Sequence, residues 1–409
     1  MFKILAKTAV ILLVFAVCPA AAQGGGRPDP KAEPWRNARL RLGPIFFNPT
    51  FQIRDLGRDD NVFNDAEGLE RQDLTGTLAM TSLAGLQARA FLFTAEQANS
   101  YTWYRTYTSE RSVDGSLKLI GQLRLGFIRP WVGWERAETH ARGGFEIDAR
   151  AGRETPSWEV GSDLQLGWRL GLTGVYRKSE VTYAEGEFFD GVDLKASLDH
   201  KSESMTGYGR LELTDWTSAI GGVEYNRLRY DQATIRDSDD LYYFGGIESS
   251  TESKLGLNLR VGWFEQRHKD PTVVGFEGIT ANGSMTFIVQ DFMQISLAAD
   301  RRIGQSYEEI YPYYIEQGGD ARTTIRFSEH FDLKFDAKAK WLRYRETFTG
   351  EDLPRLDRSL VAGAEFGYYF GGASGTRVGI RYELAKRTSP VDLKNYTRSR
   401  VYSDFRLSF

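Results

Sequence analysis

The sequence predicts an all-β protein, a transmembrane up-and-down antiparallel β-barrel of about 18 strands, with 16 as the runner-up count. Three observations predict it. A period of two in side-chain character recurs as far as the last residue, short and long connections alternate, and a leader-like start precedes a chain without a long apolar run.

The start carries Lys3 and Lys7, then an apolar run from Thr8 to Val17 and a small-x-small pattern at Ala20 and Ala22. That run is about ten residues, half of the ~20 that a spanning helix needs, so it reads as a signal peptide cut after Ala22. The expected organisation is a signal peptide over residues 1–22, a flexible Gly/Pro-rich periplasmic segment over 23–43, and an outer-membrane barrel over 44–409.

Cys18 is the single cysteine among 409 residues. Its loss with the leader excludes disulfides, thiol chemistry and thiolate zinc sites from the mature chain. Net charge is −3 and falls to −5 once Lys3 and Lys7 are removed. Basic and acidic residues are interspersed, which argues against a nucleic-acid partner. Mean hydropathy is −0.42, and no apolar run of ~18 residues follows the leader, which argues against a helical membrane protein.

Period-two alternation is clearest from Phe331. Phe331, Leu333, Phe335, Ala337, Ala339 and Trp341 share one face, and Asp332, Lys334, Asp336, Lys338 and Lys340 share the other. An amphipathic helix cannot give that pattern. Leu255 to Trp263 alternates with a face holding Arg260, and Met293 to Ala299 with one ending at Asp300. Leu360 to Phe370 alternates with Glu365, Val378 to Leu384 with Arg381 and Glu383, and Trp158 to Trp168 with Glu159 and Asp163.

Between these segments lie short turns at Thr214–Thr217, Gln290-Asp291, Ser328–His330 and Gly371–Gly375. Longer polar connections lie at Asp55–Glu70, Thr139–Glu146, Glu185–Asp193 and Gly350–Leu356. Short periplasmic turns and long extracellular loops alternate in this way in outer-membrane barrels. Aromatics near strand ends, such as Trp131, Trp134, Trp158, Trp168, Trp263 and Trp341, suit interfacial girdles. Phe405, Leu407 and Phe409 end the chain on one face and resemble the assembly signal read by the barrel assembly machinery. The closing partner of that last strand is expected near Pro44–Arg54, with Pro49 at a bulge or near the rim.

Charged groups facing lipid cost ~2–4 kcal/mol at mid-membrane, so the charged faces must line a lumen. The candidate lumen-lining residues are Arg260, Asp300, Lys334, Asp336, Lys338, Lys340, Glu365, Arg381 and Glu383. A barrel of about 18 strands is wide enough for an aqueous channel.

Three short motifs add a family likeness. Leu42-Gly43-Pro44 with Pro49 and Asp59-Asp60-Asn61-Val62-Phe63, the run Glu146 to Ala151, and Tyr311-Pro312-Tyr313-Tyr314 resemble the "putative β-barrel porin 2" family of exported bacterial proteins. The resemblance implies an outer-membrane pore. For members encoded with exopolysaccharide machinery it also implies a polysaccharide exit that meets periplasmic polysaccharide-export proteins. It carries over no catalytic residues, cofactor or metal.

Two other function classes compete with a pore. A rim enzyme would draw on His140, His200 and His268 with Asp59-Asp60 or Asp239-Asp240, yet no GxSxG, HExxH or P-loop pattern occurs. A structural barrel with a closed lumen is the third reading. A plugged active transporter lacks room for a plug before the barrel. The acids Asp59, Asp60, Asp65, Glu67 and Glu70 could supply oxygen ligands to calcium, but their spacing fits no EF-hand.

Overall fold

The computed structural model describes residues 38–249, 254–290, 292–308, 311, 313–345, 352–371 and 376–408. The expected signal peptide, most of the segment 23–43, and Phe409 lie outside them.

Eighteen long strands form the wall: β1 Ile45–Asp59, β2 Asp73–Ala88, β3 Phe91–Tyr104, β4 Ser112–Leu123, β5 Ile128–Thr139, β6 Arg153–Leu166, β7 Leu170–Tyr183, β8 His200–Glu212 and β9 Thr217–Tyr230. They continue as β10 Ser238–Ser249, β11 Leu255–His268, β12 Phe276–Val289, β13 Met293–Gln305, β14 Tyr313–Arg326, β15 Phe331–Arg345, β16 Asp352–Phe370, β17 Thr376–Thr388 and β18 Tyr396–Ser408. Each pairs antiparallel with its neighbours in sequence, and β1 pairs with β18 from Thr50↔Ser408 to Asp59↔Arg400. The sheet is therefore a closed 18-stranded barrel. Closure leaves no free edge, the condition that a lipid environment places on any spanning sheet.

A 14-residue strand such as β9 rises about 35 Å at ~3.3 Å per residue and ~40° tilt, more than the ~25 Å apolar band of such barrels. The outer face follows the expected alternation: Val261, Trp263, Phe335, Trp341, Leu360, Ile380 and Tyr382 are exposed. The alternate positions hold buried acids and arginines such as Asp332, Glu365 and Arg377.

Several boundaries differ from the sequence expectation. β1 continues through the expected loop start to Asp59, across a bulge at Arg54–Leu56 where Asp55 adopts φ 54°. Two contacts hold Asp55 there: its N–H donates to Asp404 Oδ1 (2.9 Å), and its Oδ1 accepts from Arg400 (2.7 Å). Pro49 is not at that bulge. It pairs with Ser82, one residue past the end of the β1–β18 ladder, where a missing N–H breaks no bond. Leu40–Leu42 turns back at Gly43 (φ 57°) and pairs with Ile45–Phe47 of β1. The end of the expected flexible segment is thus a short strand. Residues 352–356 belong to β16 rather than to a loop, because Arg345 pairs with Asp352 across a second bulge. The connection 184–199 contains a small hairpin, Phe188–Phe189 with Val192–Asp193, and a helix Leu194–Leu198 that Asp193 caps by accepting from the Lys195 and Ala196 N–H groups.

Candidate functional site

The inner surface has two unlike walls. On β15–β18 and β1 the inward side chains form a ladder of ion pairs. Arg377 donates to Asp332 Oδ1 (2.6 Å) two strands away and also pairs with Glu365, which accepts from Lys334 (3.2 Å). One step up, Arg381 grips Asp336 with both terminal nitrogens (2.5 and 2.7 Å) and reaches Glu383 (3.1 Å). Glu383 in turn accepts from Arg400 (3.3 Å), and Arg398 and Arg400 both pair with Asp59. Charges brought together inside a wall need partners, and planar guanidinium–carboxylate forks supply them with fixed geometry.

The period of two fixes this arrangement. Alternate residues share the lumen side, and antiparallel register sets Asp336 beside Gly363 and Gly363 beside Glu383. Gly363 leaves the room that the Arg381 guanidinium fills: a Cβ there would sit 2.3 Å from Arg381 Nη2.

The facing wall, β8–β12, is different. Tyr208 of β8, Phe244 and Tyr242 of β10, Phe264 of β11 and Phe276 of β12 form a chain of rings in that order, with centroids 5.4–6.3 Å apart from one to the next. Arg260 spans this group, its guanidinium 5.4 Å from the Phe244 ring centroid, and donates to Glu248 (2.8 Å). Hydroxyls and amides such as Thr206, Asn226 and Thr280 fill the positions between.

The remaining lining candidates sit on β13–β15. Asp300 is 3.5 Å from Arg302, Lys340 pairs with Glu316, and Lys338 lies in register with Asp320. Phe405 and Leu407 fall on the closing ladder, opposite Ile53 and Phe51.

At the long-loop end, where the sequence offers a histidine–aspartate rim, the structure instead builds a set of contacts around Glu146 and Arg236. Loop 140–152 leaves between β5 and β6 and meets Ser306-Tyr307, which leave between β13 and β14 on the far side of the ring. The buried Glu146 carboxylate accepts from Ser306 Oγ (2.6 Å) and the Tyr307 N–H (3.3 Å). Arg236, 1% exposed, donates to the carbonyls of Ser197 (3.0 Å), Ser306 (2.5 Å) and Tyr307 (3.0 Å). Tyr307 Oη donates to Asp190 (2.8 Å) and accepts from Lys394 (2.6 Å), while Glu308 accepts from Arg355 (2.8 Å). Arg387 of β17 donates to the Phe145 carbonyl (2.9 Å), and Asp148 accepts from Arg142 (2.6 Å), Asn64 (2.7 Å) and Tyr396 (2.8 Å). Ile147, Ala151, Tyr183, Leu194, Leu198 and Tyr307 form a small apolar core beneath these contacts.

Burial pushes the Glu146 carboxyl up to about 7; nearby Glu308 adds to the rise, and Ser306 and Lys394 oppose it. Burial also raises Tyr307, with Asp190 and Glu308 acting in the same direction. Glu308 is held below the ordinary carboxylate range by Arg355 and Lys394 against the effect of its burial.

Parts of all three family-like motifs contribute to this mouth, the first through Asp59–Phe63 alone, since Leu42-Gly43-Pro44 and Pro49 lie at the other end of β1. Asp59 pairs with Arg398 and the Val62 carbonyl accepts from Arg142 (2.6 Å), the Glu146 run crosses the opening, and Tyr311 and Tyr314 pack on Tyr344. The signal for the site was there, in the motifs that no strand period explained.

The rim-enzyme candidates do not converge. His140, just past the end of β5, lies 2.9 Å from Asp114, His200 of β8 donates to the Leu198 carbonyl (2.7 Å), and His268 of β11 stacks on Tyr313. Asp239 is taken by Arg229 (2.5 Å) and Lys269 (2.5 Å), and Asp240 by Ser238 (2.9 Å). Among the described residues no cluster of three metal-binding side chains occurs, and the loop acids Asp60 and Asp65 turn to Ser399 and Arg71.

Comparison with known proteins gives the fold and family. Solved structures of similar shape include Pseudomonas aeruginosa OccK2 (OpdF) in complex with glucuronate, at 10% identity and TM-score 0.50 over 90% of this chain and 99% of that one. A second OccK2 structure matches at 11% identity and TM-score 0.50 over 89% and 98%. Acinetobacter baumannii OccAB3 matches at 11% identity and TM-score 0.49 over 89% and 99%. No curated protein matches the chain by sequence. The family profile described as "Putative beta-barrel porin 2" matches residues 139–409, so the chain belongs to that family and is an outer-membrane β-barrel porin rather than an enzyme.

Proposed function

We propose that the barrel passes a saccharide, in its fullest form a polysaccharide chain leaving the cell, without an energy source of its own. The observation that carries this reading is the pair of unlike walls. Sugar rings present apolar faces that pack on aromatics and hydroxyls that bond to charged and amide groups. The partly exposed Tyr242 at the centre of the aromatic wall offers the first, and the Asp336–Arg381–Glu383–Arg400 part of the ladder offers the second. Glucuronate bound to the similarly shaped OccK2 makes a sugar acid a natural probe.

The test is single-channel conductance of the refolded barrel in a planar lipid bilayer, with glucuronate and with neutral and anionic polysaccharides added in turn. Steady conductance blocked by a saccharide supports the proposal and identifies the class. Conductance that no saccharide alters contradicts it and leaves a pore for another solute. A folded barrel that never conducts favours the second reading, a barrel with a closed lumen, to which the loop contacts across the mouth lend support.

A further inference from the structure

The ladder between β12 and β13 begins at Val289↔Met293 and stops at Ala281↔Arg301. β12 continues to Phe276, paired on its other side with β11, and β13 continues to Gln305, paired with β14. Two facing edges therefore part company above Ala281. The outer ends of β13 and β14 lean into the barrel and carry Ser306, Tyr307 and Glu308 to the contacts described above.

The parted edges are covered by side chains. Arg301 Nε donates to the Ile279 carbonyl (3.0 Å), and Tyr313 Oη donates to the Gly275 carbonyl (3.1 Å). Tyr313 and Ile315, with Ile303, fill the gap against Phe276 and Phe264. Just where the ladder ends, β14 carries Gly318-Gly319 opposite Asp300 and Ala299. Two successive glycines weaken a strand and let it bend.

We infer that the outer ends of β13 and β14, Arg302–Glu308 and Tyr313–Glu316, are a gate hinged at Gly318-Gly319. In one position they lean inward, latched to Glu146 and Arg236. In the other they rejoin the wall. Continuing the existing register would then pair Thr280 with Arg302, Ile279 with Ile303, Gly278 with Gly304 and Glu277 with Gln305. The latch is almost wholly side chain to backbone or side chain to side chain, so water can replace it. Leaving it is offset by a backbone ladder that the inward position forgoes. Departure of Ser306, Tyr307 and Glu308 takes from Glu146 the Ser306 and Tyr307 donors, from Arg236 two of its three carbonyls and from Arg355 its Glu308 partner, and so loosens the mouth as a unit, with Arg236 still on Ser197 and Arg355 still on Asp357. That consequence for flow rests on the pore reading; the hinge does not.

The test uses the full chain with Cys18, its single cysteine, changed to serine. One variant, Glu146→Cys with Ser306→Cys, closes the latch on oxidation. A second, Ile279→Cys with Ile303→Cys, fastens the hairpin to the wall. Disulfide formation is read by mass and conductance in a planar bilayer, before and after reduction. The expected result is that both disulfides form, that the latched form loses most of its conductance and regains it on reduction, and that the wall-fastened form stays open. Failure of the Ile279–Ile303 disulfide to form in a folded barrel overturns the hinge. Both disulfides forming with conductance equal to that of the reduced proteins overturns the gate. Reduced proteins that never conduct would refute the pore reading, and formation of the Ile279–Ile303 disulfide would still decide the hinge.

Discussion

The wall and the mouth of this barrel are held together by different means. In the wall, neighbouring strands share a backbone ladder, outward residues meet lipid, and inward charges pair with partners one or two strands away, as Arg381 does with Asp336. At the mouth, contacts join loops far apart in sequence: Ser306 meets Glu146, Arg387 meets Phe145, and Lys394 meets Tyr307. The wall is thus a closed hydrogen-bonded cylinder that can change little without breaking. The mouth is a set of replaceable polar contacts over a small apolar core. The difference teaches which part of such a protein can move while the rest stays assembled in the membrane.

Substitutions in the wall should damage assembly, and substitutions at the mouth should spare it. The largest effect is expected for Phe335→Arg, which sets a cation on the lipid face beside Ala364, further into the strand. The cost is ~2–4 kcal/mol near the midplane, read as loss of folded barrel in a refolding titration into lipid vesicles. Asp332→Ala comes next. It deprives the buried Arg377 of its bidentate partner. A stranded buried charge costs ~3–5 kcal/mol, and the loss here should be about 2 because Glu365 still faces Arg377. Chemical denaturation of the reconstituted protein measures it.

Arg236→Met should leave wall stability unchanged and raise the frequency of open events, since three carbonyls at the mouth lose one shared donor. Equal destabilisation of the whole barrel would erase the distinction between the two regions. Glu146→Gln sharpens it further. The groups around Glu146 are Tyr307, Glu308, Lys394, Tyr183, Tyr314 and Tyr344. A carboxyl held near 7 in the closed mouth, and lower when exposed, favours closure at low pH. That contribution is full below the ordinary carboxylate value and is lost as pH rises through about 7. Open probability should therefore be higher at about pH 8 than at about pH 5, and Glu146→Gln should flatten the change. The smallest effect is expected for Lys338→Ala, a modest shift of ion selectivity toward cations with folding intact, read as a reversal potential in a salt gradient.

The wall was legible because a β-strand writes its surroundings into every second residue. Phe331 to Trp341 announces lipid on one side and a polar interior on the other without reference to any other strand. Strand number followed from counting such segments between turns. The ion-pair partners were legible only as a set of inward charges, because register, which seats Asp336 beside Gly363 and brings Arg381 across it, depends on bulges and turns. Boundaries failed where long-range contacts extend a strand past its pattern, as when Arg400 and Asp404 hold Asp55 and β1 runs on to Asp59. The mouth was legible as motifs without a mechanism. Glu146 has no periodic neighbour that marks it as buried, and its partners lie 160 residues away.

The account turns on the claim that alternate residues of β15 face water inside the barrel and lipid outside it. Single cysteines placed in turn from Asp332 to Trp341, in a chain with Cys18 changed to serine, can be challenged with a small charged thiol reagent in lipid vesicles. The account predicts alternation, with positions 334, 336, 338 and 340 reacting, the fully buried position 332 shielded by Arg377, and positions 333, 335, 337, 339 and 341 protected. Uniform protection, or reactivity on the odd positions, would contradict a water-filled lumen lined by the charged face.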